Sequence, residues 1–337
     1  MTQPSAPTIA RRGGRWGRRI TLLVAVLAIL AIVAYLLAGL LVYDQLSAIE
    51  PGCNQEHAAN TPASFQADRG DHEDTTPYLM PEYETVTLPS RDAGVQIAAW
   101  YVPAGPPAET PAVVLVHGHG SCRREARMLL AAGMLHKAGI AALLIDMRNH
   151  GDSTVVNGRY AGGTREYADA LGGWDWLVAH GHPATRTGEF GMSLGAATAL
   201  IATGEEPRVA AVWEDSSYAD VDEAVAAELT RHQYPTWLRY GGYLVAQVVS
   251  GDDLLARSPV EEVARLHGRP IAITHGSADE RLSVTYASEL ADAVRASGGS
   301  VDPWIVDGAM HTQAIALHPA EYARRLDAFF EAALGGT

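Results

Sequence analysis

The stretch GEFGMSLGAATA, residues 188–199, places Ser193 between Gly191 and Gly195. An apolar run leads in and an alanine-rich run leads out. That pattern fits a strand turning sharply into a helix, a bend that lifts a serine hydroxyl clear of the backbone as a nucleophile. A helix start in which glycine only permits close packing uses the same residues, so the reading depends on partners. A serine hydroxyl is a weak nucleophile without a base, usually a histidine oriented by a carboxylate. His311 lies in DGAMHTQA, just past the apolar run PWIV, and Asp279 lies in THGSADERL, just past PIAIT. Both fall where strands should end, the edge at which open α/β sheets build their sites. The order Ser193, Asp279, His311 is the one such an architecture uses. Asp215, at the end of RVAAVWED, is a second candidate for the acid, although a carboxylate there serves equally to cap a following helix.

Charge that develops on a carbonyl oxygen needs N–H donors waiting for it. Leu194 opens the helix after the serine, and N–H groups at a helix start have no intrahelical partner. A second donor is expected from LVHGHGSC, where Gly118 and Gly120 let the backbone turn inward, and the N–H of His119 is the choice. His117 and His119 also have the spacing of two metal ligands. No accompanying motif such as H-E-x-x-H supports a metal, so none is assigned, and no other cofactor is implied.

The elements that must hold these residues are legible around them. YETVTLPS and VQIAAWYVP read as two strands joined by the turn RDAG. After the loop PAGPPAETP, the strands PAVVLVHG, IAALLIDM, GEFGM, RVAAVWED, RPIAITHG and VDPWIVDG alternate with helical stretches. Such alternation implies an α/β fold, a mostly parallel sheet with helices on both faces. Residues 216–269 interrupt it. They hold Tyr218, Tyr234, Trp237, Tyr240 and Tyr243 and read as an inserted helical cap over the pocket.

Ahead of this domain, Ile20 to Tyr43 contains no charged residue. A helix of that length spans about 36 Å, enough for a hydrocarbon core of about 30 Å. It is too long for the apolar part of a cleaved signal peptide, and AGLLVYDQ offers no good cleavage site. Arg11, Arg12, Arg15, Arg18 and Arg19 precede it, so the N-terminus should stay cytoplasmic and the rest lie outside, at the cell membrane. The expected organisation is a basic tail over 1–19, a single transmembrane helix over 20–43, a linker or stalk over 44–81, and a catalytic domain over 82–337 with the cap at 216–269. The total charge is −14; with +5 in the first nineteen residues, the remainder carries −19. An acidic body of that kind repels phosphate backbones and argues against nucleic acid as a partner. Cys53 and Cys122 are the only cysteines, and outside the cytoplasm a disulfide between them is chemically allowed.

Taken together, LVHGHG, DMRNHGDS, GMSLG, HGSADERL and GAMH resemble the α/β-hydrolase superfamily over roughly Tyr83 to Leu334. The likeness is to the subgroup that mixes serine aminopeptidase-like, acyl-esterase and monoglyceride-lipase-like members. It implies an α/β-hydrolase fold with Ser193 as nucleophile, Asp279 as acid, His311 as base, and His119 with Leu194 as oxyanion hole. DMRNHGDS has Asn149 where the family's D-x-R-G-x-G-x-S loop has glycine; that loop is mainly structural in the family, so His150 receives no catalytic role. The function expected is a membrane-anchored, extracytoplasmic serine hydrolase that cleaves a small-molecule or lipid-like acyl ester. A peptidase or thioesterase would share the triad, and a catalytically silent envelope-binding protein is the alternative of another kind. Nothing in the sequence speaks to oligomeric state.

Overall fold

Helix α1 (Gly14–Ser47) leads into a strand–helix alternation that follows the apolar runs closely. The computed structural model describes residues 14–50, 52–53 and 56–335; the tail at 1–13, with Arg11 and Arg12, lies outside the described residues. The order continues with β1 (Glu84–Pro89), β2 (Gln96–Val102), β3 (Ala112–Val116), α2 (Ala126–Lys137), β4 (Ala141–Ile145), α3 (Tyr167–Ala179), β5 (Thr187–Met192) and α4 (Leu194–Glu205). After β6 (Val212–Asp215) come α5 (Val221–Arg231), α6 (Leu238–Val249) and the short α7 (Pro259–Val263). The chain closes with β7 (Ile271–Gly276), α8 (Thr285–Ala296), β8 (Trp304–Val306), α9 (Ala314–Leu317) and α10 (Pro319–Leu334).

All eight strands join one sheet in the order β1-β2-β4-β3-β5-β6-β7-β8. Strand β2 pairs antiparallel with β1 and β4, and every other pair is parallel. The central strands β3, β4, β5 and β6 are buried along their whole length, as strands covered on both faces must be. One face packs Leu171, Trp174, Leu200 and Leu290 from α3, α4 and α8; the other packs Leu129, Tyr322 and Phe330 from α2 and α10. Between β6 and β7 the sheet is left for α5, α6 and α7. Asp220, whose side chain accepts from the N–H groups of Asp222 and Glu223, caps α5. The capping role considered for Asp215 therefore belongs to Asp220.

Helix α1 is long and apolar enough to cross a membrane, and its most apolar window is entirely uncovered by protein. From Tyr35 onward one side is shielded by the cap. Tyr35 stacks on Trp237 with centroids 5.6 Å apart, and a Cβ at Gly39 would lie 2.6 Å from the carbonyl carbon of Gly241. The two helices therefore touch backbone to backbone, which only glycine permits.

The helix continues past Tyr43 to Ser47, and the segment expected as a linker is fastened to the catalytic domain. The Tyr160 N–H donates to Ser47 O (2.8 Å) and the Ile49 N–H to Gly158 O (2.9 Å). Phe65 and Met80 are buried in the α2 face. Cys53 and Cys122 form a disulfide with an S–S distance of 2.00 Å. The segment lacks periodicity because its side chains dock one at a time rather than as the face of an element.

Candidate active site

Ser193 follows β5 directly and precedes α4, with φ 56° and ψ −122°. Positive φ is rare for a residue with a side chain and is held here by its surroundings. The flanking glycines explain how. A Cβ on Gly191 would run into the carbonyl of Gly195, and a Cβ on Gly195 would run into the carbonyls of Val116 and His117. Each glycine is present because the turn folds back against another backbone.

The hydroxyl of Ser193 donates to His311 Nε2 at 2.7 Å, and His311 Nδ1–H donates to Asp279 Oδ2 at 2.7 Å. The carboxylate can only accept, so this contact fixes the imidazole tautomer. The other oxygen of Asp279 accepts from the N–H groups of Arg281 and Leu282, each at 2.9 Å. His275 Nε2–H lies 3.3 Å from Asp279 Oδ2 and 3.0 Å from Leu282 O. Burial alone would raise the Asp279 carboxyl, but the hydrogen bonds from His275 and His311 outweigh it and hold the group well below the usual carboxylate range.

Asp215 does not touch His311. Its carboxylate accepts from Ser216 Oγ–H (2.8 Å) and Tyr322 O–H (2.9 Å), and Ser216 Oγ in turn accepts from the Thr312 N–H (3.2 Å). Arg127 donates to His311 O and to Thr312 Oγ1, so the loop carrying His311 is gripped from two sides.

Among the described residues the N–H groups of Leu194 and His119 donate to no acceptor. Gly118 lies against the serine, since a Cβ there would be 3.4 Å from Ser193 Cβ. The loop from His117 onward is held by Arg123, whose guanidinium pairs with the buried Asp146, and by the Cys122 disulfide. His117 is part of that scaffold: Nδ1–H donates to Gly118 O and Nε2 accepts from the Met147 N–H. Burial pushes its imidazole down to about 4. His150 is likewise internal, its Nδ1–H donating to Arg148 O, and burial takes it down to about 2.

Asn149 adopts the φ of 66° that glycine would supply. Its side-chain oxygen accepts from the N–H groups of Val156, Asn157 and Gly158, and its amide donates to Arg159 O at 2.7 Å. The departure from glycine thus organises the loop on which Ser47 and Ile49 dock.

A cavity of about 330 Å³ adjoins Leu194 and His119. Val221, Val225 and Tyr243 of the cap line it, as do Val42 and Leu46 of α1.

Parallel sheet, serine elbow and relay together define a serine hydrolase of the α/β-hydrolase superfamily. Within it the chain belongs to the prolyl oligopeptidase family, whose model matches residues 130–337. An esterase of Pyrococcus furiosus shares the fold with a TM-score of 0.62 at 22% identity, over 78% of this chain and 97% of that one. A Mycobacterium tuberculosis puromycin-hydrolyzing peptidase aligns with a TM-score of 0.60 at 19% identity, over 77% of this chain and 40% of that one. Pyrococcus horikoshii acylaminoacyl peptidase gives 0.56 at 18%, over 75% and 42% respectively. No curated protein matches the chain in sequence.

Two contributors were not picked out from sequence. His275 stands four residues before Asp279 in the quoted THGSAD, a spacing that could have flagged it. The lining supplied by α1 carries no local signal, because it arises only when α1 packs against the helices between β6 and β7.

Proposed function

We propose that the protein is a membrane-anchored, extracytoplasmic serine hydrolase that cleaves a carboxylic ester bond. The observation that carries this reading is the relay Asp279–His311–Ser193, both contacts 2.7 Å, ending beside two free N–H donors and the capped cavity. His311 Nε2 takes the Ser193 proton as Oγ attacks the substrate carbonyl carbon. The N–H groups of Leu194 and His119 hold the oxyanion. Collapse of the tetrahedral intermediate releases the alcohol, which receives the proton from His311, and leaves an acyl-enzyme. Water, deprotonated by the same imidazole, then frees the acid and restores Ser193. Asp279 keeps His311 in the tautomer that presents an acceptor to Ser193 and stabilises the imidazolium. Apolar walls such as Val221 and Val225 favour an acyl chain over a charged peptide.

Three measurements test the proposal. A fluorophosphonate probe should label wild type and not Ser193→Ala, and p-nitrophenyl esters should turn over faster than aminoacyl anilides; faster anilide cleavage would make the protein a peptidase with the same triad. Protease added to intact cells should degrade the catalytic domain and spare the N-terminus, and recovery of the chain in the cytoplasm without detergent would refute the topology.

A further inference from the structure

Residues 20–34 of α1 are exposed throughout, whereas shielding begins at Tyr35 and recurs at Gly39, Val42, Tyr43 and Leu46, one stripe of the helix. The uncovered part of the apolar run is about 22 Å long at about 1.5 Å per residue, shorter than a hydrocarbon core of about 30 Å. A bilayer centred on the apolar run therefore reaches the level of Tyr35 to Leu40. At that level α1 has a neighbour. Helix α6 runs alongside it in the same direction, Trp237 beside Tyr35, Gly241 against Gly39, and Val245 and Ala246 in one cluster with Tyr43. The outer face of its start carries Trp237, Tyr240 and Leu244, each more than half exposed. Trp and Tyr rings are the side chains that settle at a membrane–water boundary. One turn further along, Val42 and Leu46 of α1 face the catalytic cavity together with Val225.

We infer that α1 is a wall of the substrate site as well as an anchor, and that the start of α6 sits in the boundary of the outer leaflet, so that the substrate is an amphiphilic acyl ester taken from the bilayer with its chain against Val42 and Leu46. This deepens the proposed function and rests on its anchoring and hydrolase readings. The occupant of the exposed α6 face is the lipid boundary because that face continues the bare apolar surface of α1 at the depth the span leaves uncovered.

The test uses the full chain in phosphatidylcholine nanodiscs. Leu46→Trp, which fills the cavity, should lower kcat/KM for p-nitrophenyl decanoate at least tenfold relative to the acetate ester. Leu46→Ala should move the preference the other way, toward longer chains. Leu41→Trp, on the exposed side of α1, should leave the chain-length profile unchanged. Bromine-labelled lipids should quench more fluorescence in wild type than in Trp237→Phe. If both Leu46 variants fold, label with fluorophosphonate at the wild-type rate and keep the wild-type profile, α1 is not a wall of the site. If Trp237 contributes nothing to quenching, the placement of α6 is wrong. Absence of labelling in wild type would instead overturn the hydrolase reading itself.

Discussion

Replacing Asp279 by Asn changes one atom and should nearly silence the enzyme. Oδ1 of Asp279 accepts two backbone N–H groups, from Arg281 and Leu282. An amide oxygen can keep that place, and an NH₂ group cannot. The asparagine therefore directs its Nδ2 toward His311 Nδ1, where the carboxylate oxygen stands 2.7 Å away in the wild type. A donor at that point forces His311 Nδ1 to become the acceptor and moves the ring proton to Nε2, the atom that must accept from Ser193. The second amide hydrogen meets His275 Nε2–H, itself a donor, 3.3 Å from the original oxygen. The loss should be on the order of 10⁴ in kcat, about 5.5 kcal/mol of transition-state stabilisation, with KM little changed. Asp215→Asn is the comparison. It disturbs hydrogen bonds to Ser216 and Tyr322 without touching His311 and should cost roughly 1–3 kcal/mol of stability with most activity kept. Initial rates on a p-nitrophenyl ester, with circular dichroism confirming the fold of both variants, decide the matter. Equal losses, or a greater loss at Asp215, would refute the assignment of the acid.

Gly195→Ala drives a methyl into the carbonyls of Val116 and His117 and should cost about 1–3 kcal/mol or more while abolishing fluorophosphonate labelling; a variant with an unchanged melting point and labelling rate would show the elbow to be looser than described. Cys53→Ser opens a cross-link between residues separated by 69 positions, for which loop entropy gives about 4 kcal/mol, so the melting point should drop and labelling should slow as the His119 loop loosens. Two freely alkylated thiols in the purified wild type would remove the basis for that expectation. Burial raises the Glu214 carboxyl to about 8 and that of Glu166 to about 7, so the folded chain holds protons that the unfolded chain releases near 4.5. That stabilisation is complete below about pH 4.5 and is lost as pH climbs through 7 and 8. Burial lowers His117 and His119 to about 4, which makes stability rise with pH from about 4 only until the unfolded imidazoles lose their protons near 6.5. Between pH 6.5 and 8.5 these carboxyls and the raised imidazoles of His57 and His275 all act in one direction, and the unfolding free energy from urea titrations should fall by up to about 1.4 kcal/mol per pH unit for each group, less steeply in Glu214→Gln; a flat or rising value in wild type would contradict it.

The strands and helices that carry the relay were legible because each is a short apolar run bounded by glycine or a polar turn, and because the chemistry falls at strand ends. GMSLG announces its own geometry, since both glycines are needed where the backbone doubles back on itself. The choice between Asp215 and Asp279 was not fixed by pattern alone: Asp215 ends β6 and Asp279 stands three residues past the end of β7, and only the direction of the His311 loop separates them. Residues 44–81 read as a stalk because docking by isolated side chains such as Phe65 and Met80 leaves no periodic trace. The contact of Gly39 with Gly241 joins positions about two hundred residues apart, a relation that local sequence does not express.

The unbroken passage of α1 into the fastened segment at Ser47 and Ile49 also sets how the protein would meet its substrate. If α1 spans a bilayer as proposed, no slack remains between it and the catalytic domain, so the height of Ser193 above the membrane would be fixed and the working volume would shrink to a thin layer over one leaflet. Encounters with a membrane substrate would then be two-dimensional. Turnover of an embedded ester should then follow its mole fraction in the membrane and be insensitive to dilution of the vesicles, whereas a water-soluble ester should obey bulk concentration as usual.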